Sequence, residues 1–271
     1  PRDGIPPIDK PTFVDVKQAK TWIGDKEPVV FVKINGEVKA YPIQVLIWHE
    51  IVNDKLGGKN ISVTFCPLCN STIVFDRNID GKVYDFGTSG LLRNSDLVMY
   101  DRQSETLWQQ FTGEAIVGDM VGTTLTMLPS SMISFKDYYT TYPKGKVLSK
   151  DTGHYRAYGE NPYVGYDDIN SSPFLYSNPI DKRLKPMQRV VTISNKYVSK
   201  AYTYKILKKK KVINDVFSGE KIIVMHKSGT TSALDGSSIS HSKDVGSTAV
   251  FSSSLDGKIL EFIYDKEKGI L

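Results

Sequence analysis

The sequence predicts a β-rich α+β protein made of two homologous halves with a few short helices. Three observations carry that expectation. The chain holds 15 tyrosines and 11 phenylalanines among frequent Val, Ile and Thr, residues that fit a pleated, half-buried surface. Short alternating runs are punctuated by Asn-Gly and Gly-Gly pairs, the turn chemistry of hairpins. Finally, VVFVKINGEVKAYPIQVLIWHEIVNDKLGGKNISV, residues 29–63, returns in diverged form as VVTISNKYVSKAYTYKILKKKKVINDVFSGEKIIV, residues 190–224.

The return keeps its spacing. A constant offset of 161 sets Lys39, Ala40 and Tyr41 on Lys200, Ala201 and Tyr202, and Asn53 and Asp54 on Asn214 and Asp215. STIVFDRNIDGKVYDF then meets STAVFSSSLDGKILEF at an offset of 176, so the second unit carries 15 extra residues in the loop around TTSALDGSSISHS. The chain therefore divides into a first half over residues 1–150, a connecting segment over 151–186 and a second, degenerate half over 187–271.

In chain order, DVKQAKTWI reads as one short helix. VVFVKI and VKAYPI read as strands joined through Asn35-Gly36. In PIQVLIWHEIVND, Ile43, Leu46, Ile47 and Ile51 recur at helical spacing on one face, which predicts a helix running to the Asn-Asp pair before Gly57-Gly58. ISVTFC and STIVFD read as strands on either side of CPLCN, and DLVMYD as another. SSMISFKDYYTTYP reads as a helix behind a serine N-cap. The Tyr-, Asn- and Pro-rich stretch DTGHYRAYGENPYVGYDDINSSPFLYSNP has no periodicity. At that length it reads as a packed functional loop rather than plain linker.

Composition excludes several classes. At 30.3 kDa the chain can bury a sizeable core. The net charge of +5 is concentrated in KILKKKK, Lys205 to Lys211, which reads as a solvated face. Nucleic-acid binding would need a basic surface interleaved with aromatics or a recognised motif, and the sequence has neither. No apolar run approaches the length of a membrane span. The chain begins PRDGIPP without methionine, which reads as a mature or trimmed form, so a missing signal segment says little about where the protein works. Phosphate-loop, dinucleotide-binding and metalloprotease motifs are missing as well.

Chemistry concentrates in ISVTFCPLCNSTIVFD. Cys66 and Cys69 are the only two cysteines. Pro67 presets the turn between them, and Asn70 suits the left-handed backbone that closes it. Such a knuckle aims both sulfurs at one point. The internal correspondence acts as a control: His49 falls on Lys210, Cys66 on Lys227 and Cys69 on Thr230, so the soft ligands belong to the first half alone. His49 is the nearest candidate third ligand. Cys66, Cys69 and His49 with one position left open make an exchanging or catalytic set rather than a closed staple. Met99 in DLVMYD is a candidate soft fourth ligand that would favour copper over zinc. Asp96, Asp101, Arg102, Trp108, Arg156 and Tyr158 are groups that could line a pocket near the thiols. A disulfide or a redox pair is the competing chemistry. A redox CxxC usually opens a helix, which lowers the thiol pKa, whereas a strand follows here.

WHEIVND, FCPLCNSTIVFDR, SGLLRNSDLVMYDRQSETLWQQFTGEAI and YRAYGENPYVGYD together resemble the family called domain of unknown function 3179, from DGIPPID through STAVF. The family commonly has CPLCG, from which Asn70 departs. The resemblance implies an exported or lipid-anchored bacterial or archaeal protein, and the Lys- and Tyr-rich composition looks archaeal. The leading expectation is an extracytoplasmic metal-binding protein, with copper at Cys66, Cys69, His49 and Met99 and zinc as alternative. Its roles would be delivery, electron transfer or oxidation, with an exported redox or metal-trafficking partner. A thiol–disulfide oxidoreductase with Cys66 attacking, and a surface binding module stapled by a disulfide, are the other two readings.

Overall fold

The structure, a computed structural model, describes residues 1–267. Three sheets of four or five strands fill the first 150 residues, and their order places the cysteines between two of them. The first sheet runs Phe13–Asp15, Lys146–Leu148, Glu37–Pro42, Pro28–Ile34, Ser131–Ser134. The second runs Ala115–Val117, Leu107–Gln109, Asp96–Asp101, Phe86–Arg93. The third runs Met127–Leu128, Ser71–Asp76, Lys59–Cys66, Ile51–Leu56. β-rich architecture with a few short helices is thus what the sequence folds into. Among the described residues, no helix is long and apolar enough to cross a membrane.

Turn chemistry sets the local form. Asn35 and Gly36 both take positive φ, 49° and 85°, the pairing that lets a two-residue hairpin match strand twist. Asp15 caps the helix Val16–Ala19 with a full capping box. The expected helix in SSMISFKDYYTTYP divides: Ser131–Ser134 is an edge strand, and Ser134 caps the helix Phe135–Thr141 through the Asp137 N–H.

One expectation needs correction. The helix expected to reach Asn53-Asp54 covers only Ile43–His49. Glu50 turns left-handed at φ 59°, and Ile51–Leu56 becomes a strand paired residue for residue with Lys59–Cys66. Ile51 fits a helical face by spacing, but Val52 and Asn53 bury themselves against Val63 and Ser62 as a pleat. Tertiary pairing overrides the periodicity over this short stretch. Gly57 and Gly58 are then the hairpin turn and not the helix stop.

Two apolar cores flank the third sheet. One packs Val30, Val32, Tyr41, Leu46 and Ile47 against Val63, Phe65 and Val74. The other joins Cys66, Phe75 and Ile51 to Phe86, Met99 and Trp108 from the second sheet. Alternation along Lys59–Cys66 therefore sends Phe65 to one core and Cys66 to the other.

After residue 189 a smaller set follows: Val190–Ser194, Ser199–Thr203, the helix Tyr204–Lys210, Val212–Phe217, Glu220–Lys227 and Ser247–Ser252. Its pairings carry the same register at the offsets seen in the sequence. Val30 pairs with Tyr41 as Val191 does with Tyr202, and Asp54 with Ile61 as Asp215 does with Ile222. Tyr41 donates to Asp54 at 2.7 Å, and Tyr202 to Asp215 at 2.8 Å. Asn53 exchanges side-chain hydrogen bonds with the backbone of Phe86, and Asn214 does so with Phe262.

That last pair yields a graded prediction. Asn53 is buried and also donates to Asp9, whereas Asn214 is exposed. Orphaning buried partners costs more than orphaning wet ones. Asn53→Ala should destabilise by about 2–3 kcal/mol and Asn214→Ala by less than about 1, read from denaturant midpoints. Equal losses would show that the second set is as tightly buried as the first.

Candidate metal centre

The knuckle sits where Lys59–Cys66 ends and Ser71–Asp76 begins, and the Cys66–Ser71 pairing closes it. Asn70 takes φ 49°, with its N–H bonded to the Pro67 carbonyl, so the turn forms as its residue types dictate. Strand rather than helix follows the pair. Cys66 is buried and Cys69 half-buried, and neither is disulfide-bonded.

A third donor comes from the neighbouring sheet. Asp96 opens the strand Asp96–Asp101, and its carboxylate lies with both sulfurs in a group whose donor atoms are all within 4.8 Å of one another. The Cys69 thiol donates to Asp96 Oδ1 at 2.8 Å. The opposite carboxylate oxygen accepts from the Gln109 side chain and, at 2.9 Å, from the Phe111 N–H, which fixes the face presented to the thiols. The Leu97 N–H points at Cys66 Sγ from 3.4 Å, and the Ser71 hydroxyl at Cys69 Sγ from 3.4 Å. Hydrogen bonding to Cys66, burial and the Asp96 charge together push the Cys69 thiol far above its ordinary range. Without an ion, that sulfur keeps its proton.

Glu50 belongs to no metal-binding or catalytic sequence motif. It is 6 % exposed, and burial, then the Asp96 charge, pushes its carboxyl up to about 7. The connecting segment covers this side. The Tyr163 phenol is pushed up by burial, then by the charges of Glu50 and Cys66, and the Tyr166 hydroxyl lies 3.4 Å from that of Ser95. That segment is strapped to the late loop: the Asn161 N–H donates to the Ser237 carbonyl, and the Gly165 N–H to that of Asp235. Asp167 accepts from Arg189, Lys243 and Ser232. The Asn70 amide, turned with its oxygen toward Arg189, ties the knuckle to the same arginine. A cavity of about 690 Å³ runs beside the knuckle, lined by Asn70, Thr72, Ser131, Arg189 and Thr248.

His49 lies outside the thiol group. Its Nδ1 is 2.7 Å from the Pro6 carbonyl and its Nε2 2.6 Å from the Tyr158 hydroxyl. A carbonyl only accepts, so Nδ1 carries the hydrogen and Nε2 accepts from Tyr158, whose oxygen then takes the Thr152 hydroxyl at 2.6 Å. Burial first, then the positive neighbourhood of His154 and Arg156, holds its pKa down near 4 against the Pro6 bond. Both ring nitrogens are engaged. Met99 is fully buried in the core that also holds Cys66. Of the other groups singled out, Asp101 and Trp108 bond to each other, and Arg102 pairs with Asp9 and Asp3.

The family described as "Protein of unknown function (DUF3179)" matches residues 2–269. The chain belongs to that family. No curated protein and no solved structure matches it, so the chemistry of this family member rests on the geometry above.

The two shifted groups next to each other in sequence predict opposing pH trends in metal-free protein. The folded state favours protonated Glu50, so stability falls as pH rises from the unfolded value near 4.5 to about 7, by up to about 3 kcal/mol. The folded state favours neutral His49, so stability rises with pH between about 4 and 6.5. Denaturation of the wild type across pH 4–7 should therefore be nearly flat, Glu50→Gln should climb with pH, and His49→Gln should fall. Parallel curves would refute both assignments.

Proposed function

We propose that this protein binds one metal ion at Cys66, Cys69 and Asp96, and that zinc suits these donors best. The observation behind the reading is the convergence of two sulfurs and a carboxylate within 4.8 Å. Donors around one zinc stand roughly 3–4 Å apart, given Zn–S near 2.3 Å and Zn–O near 2.0 Å, so closing onto an ion takes only a small contraction. The surroundings fit a ligand role. Gln109 and the Phe111 N–H orient Asp96, and the Leu97 N–H and the Ser71 hydroxyl point at the sulfurs, as outer partners do around bound metals.

Copper was favoured by His49 and Met99 as ligands. A hard carboxylate beside two thiolates shifts the preference toward zinc, and each ring nitrogen of His49 is already engaged in a short hydrogen bond. Thiol–disulfide exchange is less well supported. It needs an accessible thiolate, while Cys66 is buried and the Cys69 thiol is held protonated against Asp96. With three protein donors, the fourth position is left for exogenous ligand, the arrangement of catalytic rather than structural sites. We also infer that the two strand–helix–strand sets descend from one duplicated unit. The shared registers and the paired Tyr–Asp and Asn–Phe contacts support that inference.

Elemental analysis after zinc loading and desalting tests the reading. The wild type should retain about one equivalent, while Cys66→Ser, Cys69→Ser and Asp96→Asn should each weaken binding at least tenfold. His49→Ala should keep its metal. Loss on His49→Ala with retention on Asp96→Asn would restore the histidine site and reject this one.

A further inference from the structure

We propose that the strand Ser247–Ser252 is an open docking edge that takes up an extended peptide segment of acidic and apolar character as one further strand. The proposal stands on the second set of strands and does not depend on the metal reading above.

The cavity of about 690 Å³ beside the knuckle lies along strand edges. Every residue of Ser247–Ser252 lines it. Successive side chains of a strand point to opposite faces of its sheet, so a space that touches all of them runs along the edge and not over one face. Consecutive residues 190–192, from the two-stranded sheet, and 129–132, which enter the edge strand of the five-stranded sheet, line it as well. Ser247–Ser252 is paired on one side only, with Glu220–Lys227. Among the described residues, no hydrogen bond reaches its backbone from the other side. An edge of that kind is a ready template for main-chain pairing.

The first set shows what this edge accepts. At the second offset seen in the sequence, Ser247–Ser252 corresponds to Ser71–Asp76. That strand is paired on both sides, with Lys59–Cys66 and with Met127–Leu128. Leu128 faces Val74, Met127 faces Phe75, and the Asp76 N–H donates to the Thr126 carbonyl at 2.9 Å. The matching Val250, Phe251 and Ser252 have no such neighbour among the described residues. Phe251 is 50 % exposed, where Phe75 is fully buried. An added antiparallel strand with two adjacent large apolar residues sets them beside Val250 and Phe251, as Leu128 and Met127 stand in the first set.

Charge completes the description of the occupant. Lys33 and Arg189 line the cavity, and among the described residues no carboxylate does. Lys33 is exposed and lies over the Tyr142 ring at 5.7 Å, with no acid partner among the described residues. Arg189 commits its terminal nitrogens to Asp167, Ser232 and Asn70, and its Nε has no partner among the described residues. In strand addition the main-chain ladder supplies affinity, while side-chain pockets and charge choose the partner. A peptide with carboxylates beside its apolar pair complements both cations. A basic peptide would bring like charge to them.

Fluorescence anisotropy of a labelled peptide carrying Thr-Met-Leu between pairs of aspartates, titrated with the full chain, tests this. Binding should saturate, and it should weaken about tenfold in Lys33→Glu and in Phe251→Glu, two exposed positions whose variants keep the wild-type circular dichroism. The same peptide N-methylated throughout should not bind, because its amides can no longer enter a ladder. On peptide addition, the Ser247–Ser252 amides should gain protection from hydrogen exchange. Absence of saturable binding, unchanged affinity in both variants, equal affinity for a peptide with lysines in place of the aspartates, or full binding of the N-methylated peptide overturns the proposal. So does protection of the same amides in a dimer formed without peptide, which makes a second copy the occupant.

Discussion

The reversal of the chain at Glu50 is the constraint on which the rest of the site depends. A short helix ends because one residue accepts a left-handed backbone, and two hydrogen bonds hold it there, to Leu46 behind and Phe65 beside. A non-glycine residue at positive φ costs free energy unless its surroundings over-determine it. Here they do: the lock fixes the register of Ile51–Leu56 on Lys59–Cys66. Register decides which side chains face which core, and a slip of one residue would turn Cys66 toward Phe65's side. The knuckle, the Asp96 contact and the buried Glu50 carboxyl all inherit their positions from that reversal.

The two sets of strands use one connection differently. Between Lys59–Cys66 and Ser71–Asp76 the first set needs only the residues of the knuckle. Between Glu220–Lys227 and Ser247–Ser252 the second has a long loop, and that loop receives the segment bearing Tyr163 and Tyr166 through the Asp235 and Ser237 carbonyls. Arg189 touches both ends of the arrangement, Asp167 on the segment and Asn70 on the knuckle. The strands and loop after residue 189 thus have a physical part beside the knuckle, since partly buried ion pairs of Arg189 and Lys243 with Asp167 hold the connecting segment in place.

Much of this was legible in the residues. Asn35-Gly36, the Pro67 and Asn70 of the knuckle, the strand after it and the Ser134 cap follow from local chemistry that acts within a few residues, so the sequence displays it directly. The helix end at Glu50 was hidden, because glutamate is a good helix former and the bond that stops the helix comes from Phe65, in another strand. The partners of His49 were hidden for the same reason: Pro6 and Tyr158 stand 43 and 109 positions away. Asp96 was visible only as a pocket candidate until the sheets brought it to Cys69. Glu50 could have been found. At the offset that set His49 on Lys210 it falls on Lys211, the same exchange of a proton-bearing group for a surface lysine.

The protons of the metal-free site connect these parts. Cys69 keeps its hydrogen through hydrogen bonding to Cys66, burial and the Asp96 carboxylate 2.8 Å away, and burial, then Asp96, favours the protonated form of Glu50. An ion entering between the sulfurs must displace the thiol protons, so affinity has to rise with pH. The same ion relieves the repulsion that Asp96 exerts on Glu50, which lets Glu50 ionise at lower pH once metal is bound. Glu50 is thus held up by burial first and by the charge of Asp96 second, and only the second of these would change with a bound cation. Replacing Asp96 would therefore remove one donor of the proposed centre and part of what holds the Glu50 carboxyl up.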